Sequence, residues 1–127
     1  MKFELYEDIS KFIGDAFDVL AENEIQNNIV IGNCLKAKAG QDTSQWFLAT
    51  VKDASGAVRL TAMMTPPFNL CLYETGNVPD DEILAHFANE LSAIDTIIPG
   101  VITEKSLAER FSGIFMSKIT KKIAVRV

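Results

Sequence analysis

The chain has 127 residues, of which 48% are hydrophobic and 23% are charged, and this composition is typical of one soluble globular domain. It excludes a disordered tail, a collagen-like fibre and a disulfide-rich secreted scaffold. The net charge of −5 argues against nucleic acid as a partner, because contacts to phosphate need a basic surface. The charge is uneven: residues 1–100 hold 6 basic and 15 acidic residues, whereas residues 101–127 hold 6 basic and 2 acidic residues.

The sequence contains no recognisable targeting segment or membrane span. Its N-terminal residues are mixed in charge, and its longest apolar runs are far shorter than the ~20 residues that a membrane-spanning helix needs. The two cysteines, Cys34 and Cys71, do not form a CxxC pair. We therefore expect a cytoplasmic protein with no membrane partner, in which both cysteines are small buried hydrophobic residues.

The first part of the chain predicts a strand followed by two helices. Apolar and charged residues alternate over residues 2–6, which is typical of a strand. Asp8 is placed to cap a helix, because apolar residues then recur at helical spacing as far as Leu20. A second helix is predicted over residues 24–38 and ends at Gly40. Its buried side is predicted to contain Ile25, Ile29, Cys34 and Leu35.

Three strands follow as an antiparallel meander. They are predicted over residues 45–52, 57–65 and 68–73, and residues 53–56 form a hairpin turn between the first two. The pair Pro66-Pro67 interrupts the ladder before the third strand, because neither proline has a backbone N–H to donate.

The next helix follows a loop predicted at residues 75–77. Pro79 lies in its first turn, and the three acids that follow suit the positive end of the helix dipole. These acids are Asp80, Asp81 and Glu82. The apolar face of this helix is predicted to contain Ile83, Leu84, Phe87 and Leu91.

The chain then predicts a short extended crossing at residues 97–101, a final helix capped by Thr103 and a final strand at residues 123–127. The apolar face of the final helix is predicted to contain Leu107, Ala108, Phe111, Ile114, Phe115 and Ile119. The order β-α-α-β-β-β-α-(β)-α-β predicts an α+β (mixed α/β) fold, with an antiparallel-rich central sheet flanked by about four helices. We treat residues 1–127 as a single domain.

The sequence carries no motif for a nucleophilic triad or a phosphate-binding loop. His86 is the only histidine, and helical spacing places it on one face with Glu82 and Glu90. Zinc prefers more nitrogen and sulfur ligands, so we expect no metal and interpret this face as solvated. No catalytic residue is assigned: Tyr6 and Tyr73 are available as general acids, but their spacing selects neither.

The least ordinary segment runs from Met63 to Asn69 and contains both central prolines. Two prolines in the middle of a sheet lie at a bulge, bend or edge, where free backbone groups can receive a ligand. The alternative is a plain corner between two strands. The residues that we single out as candidates for ligand or substrate contact are Thr65, Pro66, Pro67, Asn69 and Tyr73.

Several segments, taken in order, resemble the N-terminal half of two-domain bacterial N-acetyltransferases of the GNAT superfamily. They are residues 23–32 (NEIQNNIVIG), 62–70 (AMMTPPFNL), 99–101 (PGV) and 107–111 (LAERF). The resemblance implies a GNAT-like fold and an activity that transfers acetyl from acetyl-CoA to an amine. A V-shaped splay between the third meander strand and the next strand, near residues 68–73, would support cofactor competence, and a filled cleft would count against it.

The cofactor loop departs from that family. The family binds the pyrophosphate of acetyl-CoA with a Gln/Arg-x-x-Gly-x-Gly/Ala loop and the helix N-terminus that follows it. In this chain the loop holds one glycine, a proline and four acids, which are Glu74, Asp80, Asp81 and Glu82. A pyrophosphate would meet like charge there, so we expect the loop not to bind acetyl-CoA in the usual way. The candidates for cofactor contact that remain are Phe68, Leu70 and Leu72.

The sequence therefore predicts a GNAT-like domain that is non-catalytic by itself and supports acetyl transfer to an unidentified amine beside a C-terminal acetyltransferase domain. The alternative is a non-enzymatic, dimeric module that binds a protein or an extended peptide, as chaperones of secreted effectors do. A predicted strand edge at residues 123–127 would be covered by further sequence or by a second copy, so a homodimer is the other expected partner. A further alternative is an active acetyltransferase with an irregular cofactor loop.

Overall fold

The strands and helices follow one another along the chain in the predicted order as far as the last helix. The computed structural model describes residues 1–75, 80–94 and 97–126, with side chains as far as Lys118. The strands are β1 (Lys2–Leu5), β2 (Phe47–Lys52), β3 (Val58–Met64), β4 (Leu70–Glu74) and β5 (Val101–Ile102). The helices are α1 (Ile9–Ala21), α2 (Asn28–Lys38), α3 (Asp81–Ala93) and α4 (Lys105–Arg126).

The five strands form one sheet whose spatial order is also the chain order, β1-β2-β3-β4-β5. The first four strands are antiparallel neighbours, whereas β5 runs parallel to β4. The parallel pairing joins Leu70 with Val101 and Cys71 with Ile102, although β4 continues to Glu74. The mixed, antiparallel-rich sheet with helices confirms the predicted α+β class.

The connections within the meander follow from their turn residues. At the β2–β3 hairpin, Asp53 Oδ1 accepts hydrogen bonds from the N–H groups of Ser55 (2.9 Å) and Ala57 (3.2 Å). Gly56 has a φ of 87°, a left-handed conformation that favours glycine. At the diproline corner, β3 ends at Met64, and the N–H of Phe68 donates to the Thr65 carbonyl at 2.9 Å. The sequence therefore predicts both turns at the right places.

Helices cover both faces of the sheet and create two apolar clusters. Phe12 of α1 lies in the cluster between the sheet and the α1–α2 pair, and Phe87 and Phe111 lie in the cluster beneath α3 and α4. Met63 and Met64 are neighbours in β3, and each belongs to a different cluster. This division follows from the alternation of side chains along a strand.

The predicted cap of the first helix is confirmed, whereas Asp80, predicted in the first turn of the third helix, is its cap. The N–H of Ser10 donates to Asp8 Oδ1 at 2.9 Å, which caps α1. The N–H groups of Glu82 and Ile83 donate to Asp80 Oδ1 at 3.1 and 3.2 Å, which caps α3. The predicted apolar face of α3 is buried at each of its four positions, Ile83, Leu84, Phe87 and Leu91. Most of the loop predicted at residues 75–77, and the predicted first-turn proline, Pro79, lie outside the described residues, which omit 76–79.

The predicted buried side of the second helix is wrong at three of its residues. Ile25, Ile29 and Leu35 are 91%, 49% and 54% exposed, whereas Val30 and Cys34 are buried. The reason is that α2 begins at Asn28 rather than at residue 24. The turn before it is held by the buried side chain of Asn27, whose amide donates to the Leu20 carbonyl at 3.0 Å.

The predicted final strand at residues 123–127 is also wrong, because α4 continues to Arg126. The sequence between Phe115 and Arg126 has no proline or glycine that would end a helix. Alternating residues at the end of the chain therefore extend a helix that is already formed, while Val127 lies outside the described residues. No helix in the described ranges is long and apolar enough to cross a membrane.

The cap of α4 is Glu104 rather than the predicted Thr103. The N–H of Leu107 donates to Glu104 Oε1 at 3.1 Å, three residues into the helix. The Thr103 hydroxyl oxygen is buried, and it has no hydrogen-bond partner in the part of the chain that the structure describes.

Candidate ligand cleft at the diproline corner

A cleft of about 370 Å³ opens between α2 and the diproline corner and reaches the β4–β5 pair. We call it the α2 cleft. Its polar lining consists of Asn33, Lys36, Gln41, Thr65 and Asn69. Its apolar lining consists of Ile29, Trp46, Met63, Pro66, Phe68, Cys71 and Ile102. A largely apolar wall with a few converging polar groups is the usual character of a small-molecule site.

The end of the diproline corner contacts the segment before β5 through a backbone hydrogen bond and a close approach to Gly100. The N–H of Leu70 donates to the Gly100 carbonyl at 2.9 Å. The amide of Asn69 lies over Gly100 so closely that a Cβ at position 100 would be 3.1 Å from Asn69 Oδ1. Glycine at this position therefore permits the close approach that orients Asn69 at the edge of the cleft.

The α2 wall of the cleft contributes one polar side chain that is held in place. The Asn33 amide donates to the Met63 sulfur at 3.6 Å, which joins α2 to the centre of the sheet. Within the described residues, the side chains of Lys36, Gln41 and Trp46 make neither a hydrogen bond nor an ion pair. Their donor groups are available to a ligand.

The structure brings together some of the predicted ligand candidates and separates others. Thr65, Pro66 and Asn69 line the α2 cleft. Pro67 instead lines a smaller apolar cavity of about 170 Å³ on the far side of the corner. Tyr73 packs against the α1–α2 cluster and is absent from the lining of either cavity.

The candidates for cofactor contact are divided in the same way. Phe68 lines both cavities and is 69% exposed, since β4 begins only at Leu70. Leu70 and Leu72 are buried in the cluster beneath α3 and α4. They therefore contribute to the core, and a ligand in the α2 cleft would contact Phe68 but neither leucine.

Sequence reasoning missed the α2 side of the cleft. Asn33 and Lys36 are three residues apart and share one face of α2. The prediction for this helix concerned only its buried apolar side and did not include either residue. The sequence predicts Trp46 as part of a strand and gives it no further role. The available signal is the pair Asn33 and Lys36, which are the only polar side chains of residues 29–37 and stand at helical spacing.

Three of the four acids at the β4–α3 connection, Glu74, Asp80 and Asp81, use their carboxylates in contacts within the protein. Asp80 caps α3, and Glu74 Oε2 accepts a hydrogen bond from the Asp80 N–H at 3.2 Å. Arg110 of α4 donates to both oxygens of Glu74, at 2.7 and 3.0 Å, and through Nε to Asp81 at 2.8 Å. These contacts with Glu74, and then with Asp81, hold the pKa of Arg110 well above its usual range. We call this cluster the acidic corner.

Tyr6, one of the two tyrosines considered as general acids, belongs to a structural network. Its hydroxyl donates to Asp15 Oδ2 at 2.5 Å and lies 2.9 Å from Thr50 Oγ1. Burial and the hydrogen bond to Asp15 raise the pKa of Tyr6 to about 12. Lys52 donates to the same Asp15 oxygen at 2.9 Å. A buried phenol with this pKa is a poor proton donor near neutral pH.

Among the described residues, the two cysteines and Tyr73 do not form a catalytic arrangement. Burial raises the pKa of the Cys71 thiol and of the Tyr73 hydroxyl, which disfavours the reactive thiolate at Cys71. Cys34 is fully buried, as expected, whereas Cys71 is partly exposed at the cleft. The described residues contain no group of three or more His, Cys, Asp or Glu side chains that could hold a metal ion, and this includes the surroundings of His86.

Comparison of the chain with protein-family models, with curated proteins and with solved structures finds no match.

Proposed function

We propose that this chain is a GNAT-like domain, equivalent to the N-terminal half of a two-domain bacterial N-acetyltransferase. It supports acetyl transfer from acetyl-CoA to an amine, and a second domain supplies the catalytic site. The observation that carries the proposal is the short parallel pairing of β4 with β5, which stops at Cys71 and Ile102 although β4 continues to Glu74. The order of the elements, β-α-α-β-β-β-α-β-α, also fits the early part of the GNAT fold that the sequence resemblance implies.

The contacts of the acidic corner support the view that the domain does not hold the cofactor itself. A pyrophosphate at a helix N-terminus needs free backbone N–H groups. Here the N–H groups of Asp80, Glu82 and Ile83 already donate to carboxylates. A bound diphosphate would have to displace these carboxylates and would be repelled by them.

Isothermal titration calorimetry with acetyl-CoA tests this proposal. We expect no saturable heat up to about 1 mM cofactor, because the anion site is occupied by the protein's own acids. Binding in the micromolar range would contradict the proposed supporting role and would favour an active acetyltransferase.

A paired variant tests whether the acids are the cause. Asp80→Ser keeps a capping oxygen, and Glu74→Gln removes one of the two carboxylates that pair with Arg110. The double variant therefore has two fewer negative charges, and its Arg110 pairs with Asp81 alone. We expect acetyl-CoA binding to become measurable in this variant. The control, Glu7→Gln with Glu109→Gln, removes two negative charges outside the acidic corner, and we expect it to show no acetyl-CoA binding. A double variant that remains unable to bind would contradict the view that these acids are what excludes acetyl-CoA.

A second candidate function, a dimeric module that binds an extended peptide, is favoured by the outer edge of the sheet. β5 is the last strand of the sheet, and Ile102 in it is 43% exposed. An additional extended segment can pair with such an edge and cover its apolar side chains. Sedimentation equilibrium decides this candidate: a monomer at all concentrations contradicts it, whereas a tight dimer supports it.

A further inference from the structure

The charge of the α2 cleft is opposite to that of the whole chain. The chain holds 17 acidic and 12 basic residues. Among the described residues that line the cleft there is no carboxylate, and Lys36 carries the only formal charge. The Lys36 ammonium has no ion-pair partner in the described ranges. A cleft with one free cation and no acid favours an anionic ligand and disfavours a cationic one.

The remaining lining specifies an amphiphilic ligand. Ile29, Met63 and Phe68 offer apolar contacts, and Ile29 and Phe68 are 49% and 69% exposed when nothing covers them. Trp46 adds a flat aromatic surface and an indole N–H without a partner in the described residues. An aromatic side chain with an available donor is common where one part of a ligand is apolar and another part is polar.

We propose that the α2 cleft binds a small carboxylic acid that has one aromatic or branched apolar body. The carboxylate lies at Lys36, and the apolar body lies against Trp46, Ile29 and Phe68. The cleft volume of about 370 Å³ is near the lower end of the usual range for ligand pockets, which limits the ligand to a compact molecule. This inference is independent of the proposed role in acetyl transfer, because it involves neither the acidic corner nor acetyl-CoA.

A matched series of three ligands tests the proposal. The compounds are 3-phenylpropanoate, 3-phenylpropanol and 3-phenylpropylamine, which share one apolar body and end in an anion, a neutral hydroxyl or a cation. Trp46 is the only tryptophan of the chain, so its fluorescence reports on the cleft directly. We expect the carboxylate to bind about threefold to tenfold more tightly than the alcohol, and the amine to bind most weakly.

Two lysine variants identify the cation responsible. Lys36→Met retains the length of the side chain and removes its charge, so we expect it to bind the carboxylate and the alcohol equally. Lys38→Met is the control, because Lys38 is on the same helix with its ammonium 5.4 Å from the centre of the Phe17 ring, outside the cleft. This control should retain the preference for the carboxylate.

Three results would overturn the proposal. They are equal affinity for the three compounds, an unchanged carboxylate preference in Lys36→Met, and the lack of saturable binding. The last is established only if both Trp46 fluorescence and the NMR signals of the Asn33 and Gln41 amides stay unchanged up to about 20 mM ligand, a concentration at which even weak millimolar binding would saturate. Acetyl-CoA calorimetry is a separate measurement, so a failure here leaves the proposed acetyl-transfer role to its own test.

Discussion

Arg110 joins three separate elements through two carboxylates. Its guanidinium lies within 2.7–3.0 Å of both Glu74 oxygens, at the end of β4, and 2.7 Å from Asp81 at the start of α3. The Arg110 and Glu74 side chains are only 19% and 14% exposed. A bidentate pair with this geometry is stronger than an ordinary surface ion pair, because both charges are partly removed from water.

We expect Arg110→Met to lower the free energy of unfolding by about 1–3 kcal/mol, since it leaves the Glu74 carboxylate partly buried without its cation. Urea denaturation followed by Trp46 fluorescence measures the change. Glu109→Gln, an exposed neighbour on α4, is the control and should change stability little. If Glu74→Gln combined with Arg110→Met costs as much as the sum of the two single changes, the pair is not coupled.

The polar network at the start of the chain predicts a specific dependence on pH. The pKa of Asp15 lies below its usual 3.8, first because the Tyr6 hydroxyl donates to it and then because of Lys52. A carboxyl with a lowered folded-state pKa stabilises the fold above its unfolded pKa and loses this contribution as pH falls through the folded value. Acid therefore weakens the link between β1, α1 and β2.

We expect Asp15→Asn to lower the free energy of unfolding by about 1–2 kcal/mol at pH 7, and the difference from the unaltered chain to shrink as the pH falls through the lowered pKa of Asp15, where the native carboxyl also becomes neutral. Urea denaturation at pH 7, 5 and 3 measures this. Asp18→Asn changes an exposed residue on the same helix and serves as the control. A deficit that stays constant across this range would argue against the charge of Asp15 as the cause.

At the scale of elements, the α3–α4 pair is held against the sheet by aromatic side chains. The Phe111 ring lies 5.8 Å from Phe87 and 5.3 Å from Phe115, measured between ring centroids. Phe111 is 1% exposed, so the final helix is anchored by its first turns. The pattern of apolar residues predicts this face correctly, because helical spacing is a local property of the sequence.

Phe111→Ala should destabilise the protein by about 3–5 kcal/mol, because it removes a large buried ring and leaves a cavity between two helices and the sheet. Phe68→Ala makes the same chemical change at a residue that is 69% exposed, and we expect a cost of less than about 1 kcal/mol. Chemical denaturation of both variants measures the difference. Similar costs for the two would contradict the packing of α4 on the sheet.

On the scale of the whole molecule, the two apolar clusters share the central strands. Met63 contributes to the α1–α2 side, while its neighbours Ala62 and Met64 contribute to the α3–α4 side. A change that disorders β3 would therefore remove packing contacts from both clusters. The architecture therefore links both helical layers through one strand.

This sharing predicts a single cooperative unfolding transition. Trp46 fluorescence reports on the α1–α2 side, whereas far-ultraviolet circular dichroism reports on all the helices, including α3 and α4. We expect the two signals to have the same midpoint in urea. Separate midpoints would mean that the two layers unfold independently.

Much of the fold follows from local patterns that the sequence displays. The Asp8 cap, the hairpin at Asp53 and the break at the two prolines are all where the residues predict them. The failures are at α2 and at the end of α4, where apolar residues fit more than one periodicity. Period alone cannot say which of two competing patterns is used, because packing against the rest of the chain makes that choice.

The candidate site also has one part that local sequence predicts and another part that depends on tertiary packing. The sequence by itself determined the α+β class, the turns and the diproline corner, including the positions of Thr65, Pro66 and Asn69, because turn chemistry and side-chain alternation depend on neighbouring residues. Only the tertiary structure decided that α2 brings Lys36 to this corner and that Arg110 meets Glu74, which is 36 residues away. Such contacts arise from how helices pack on the sheet, and no local pattern of residues encodes that arrangement.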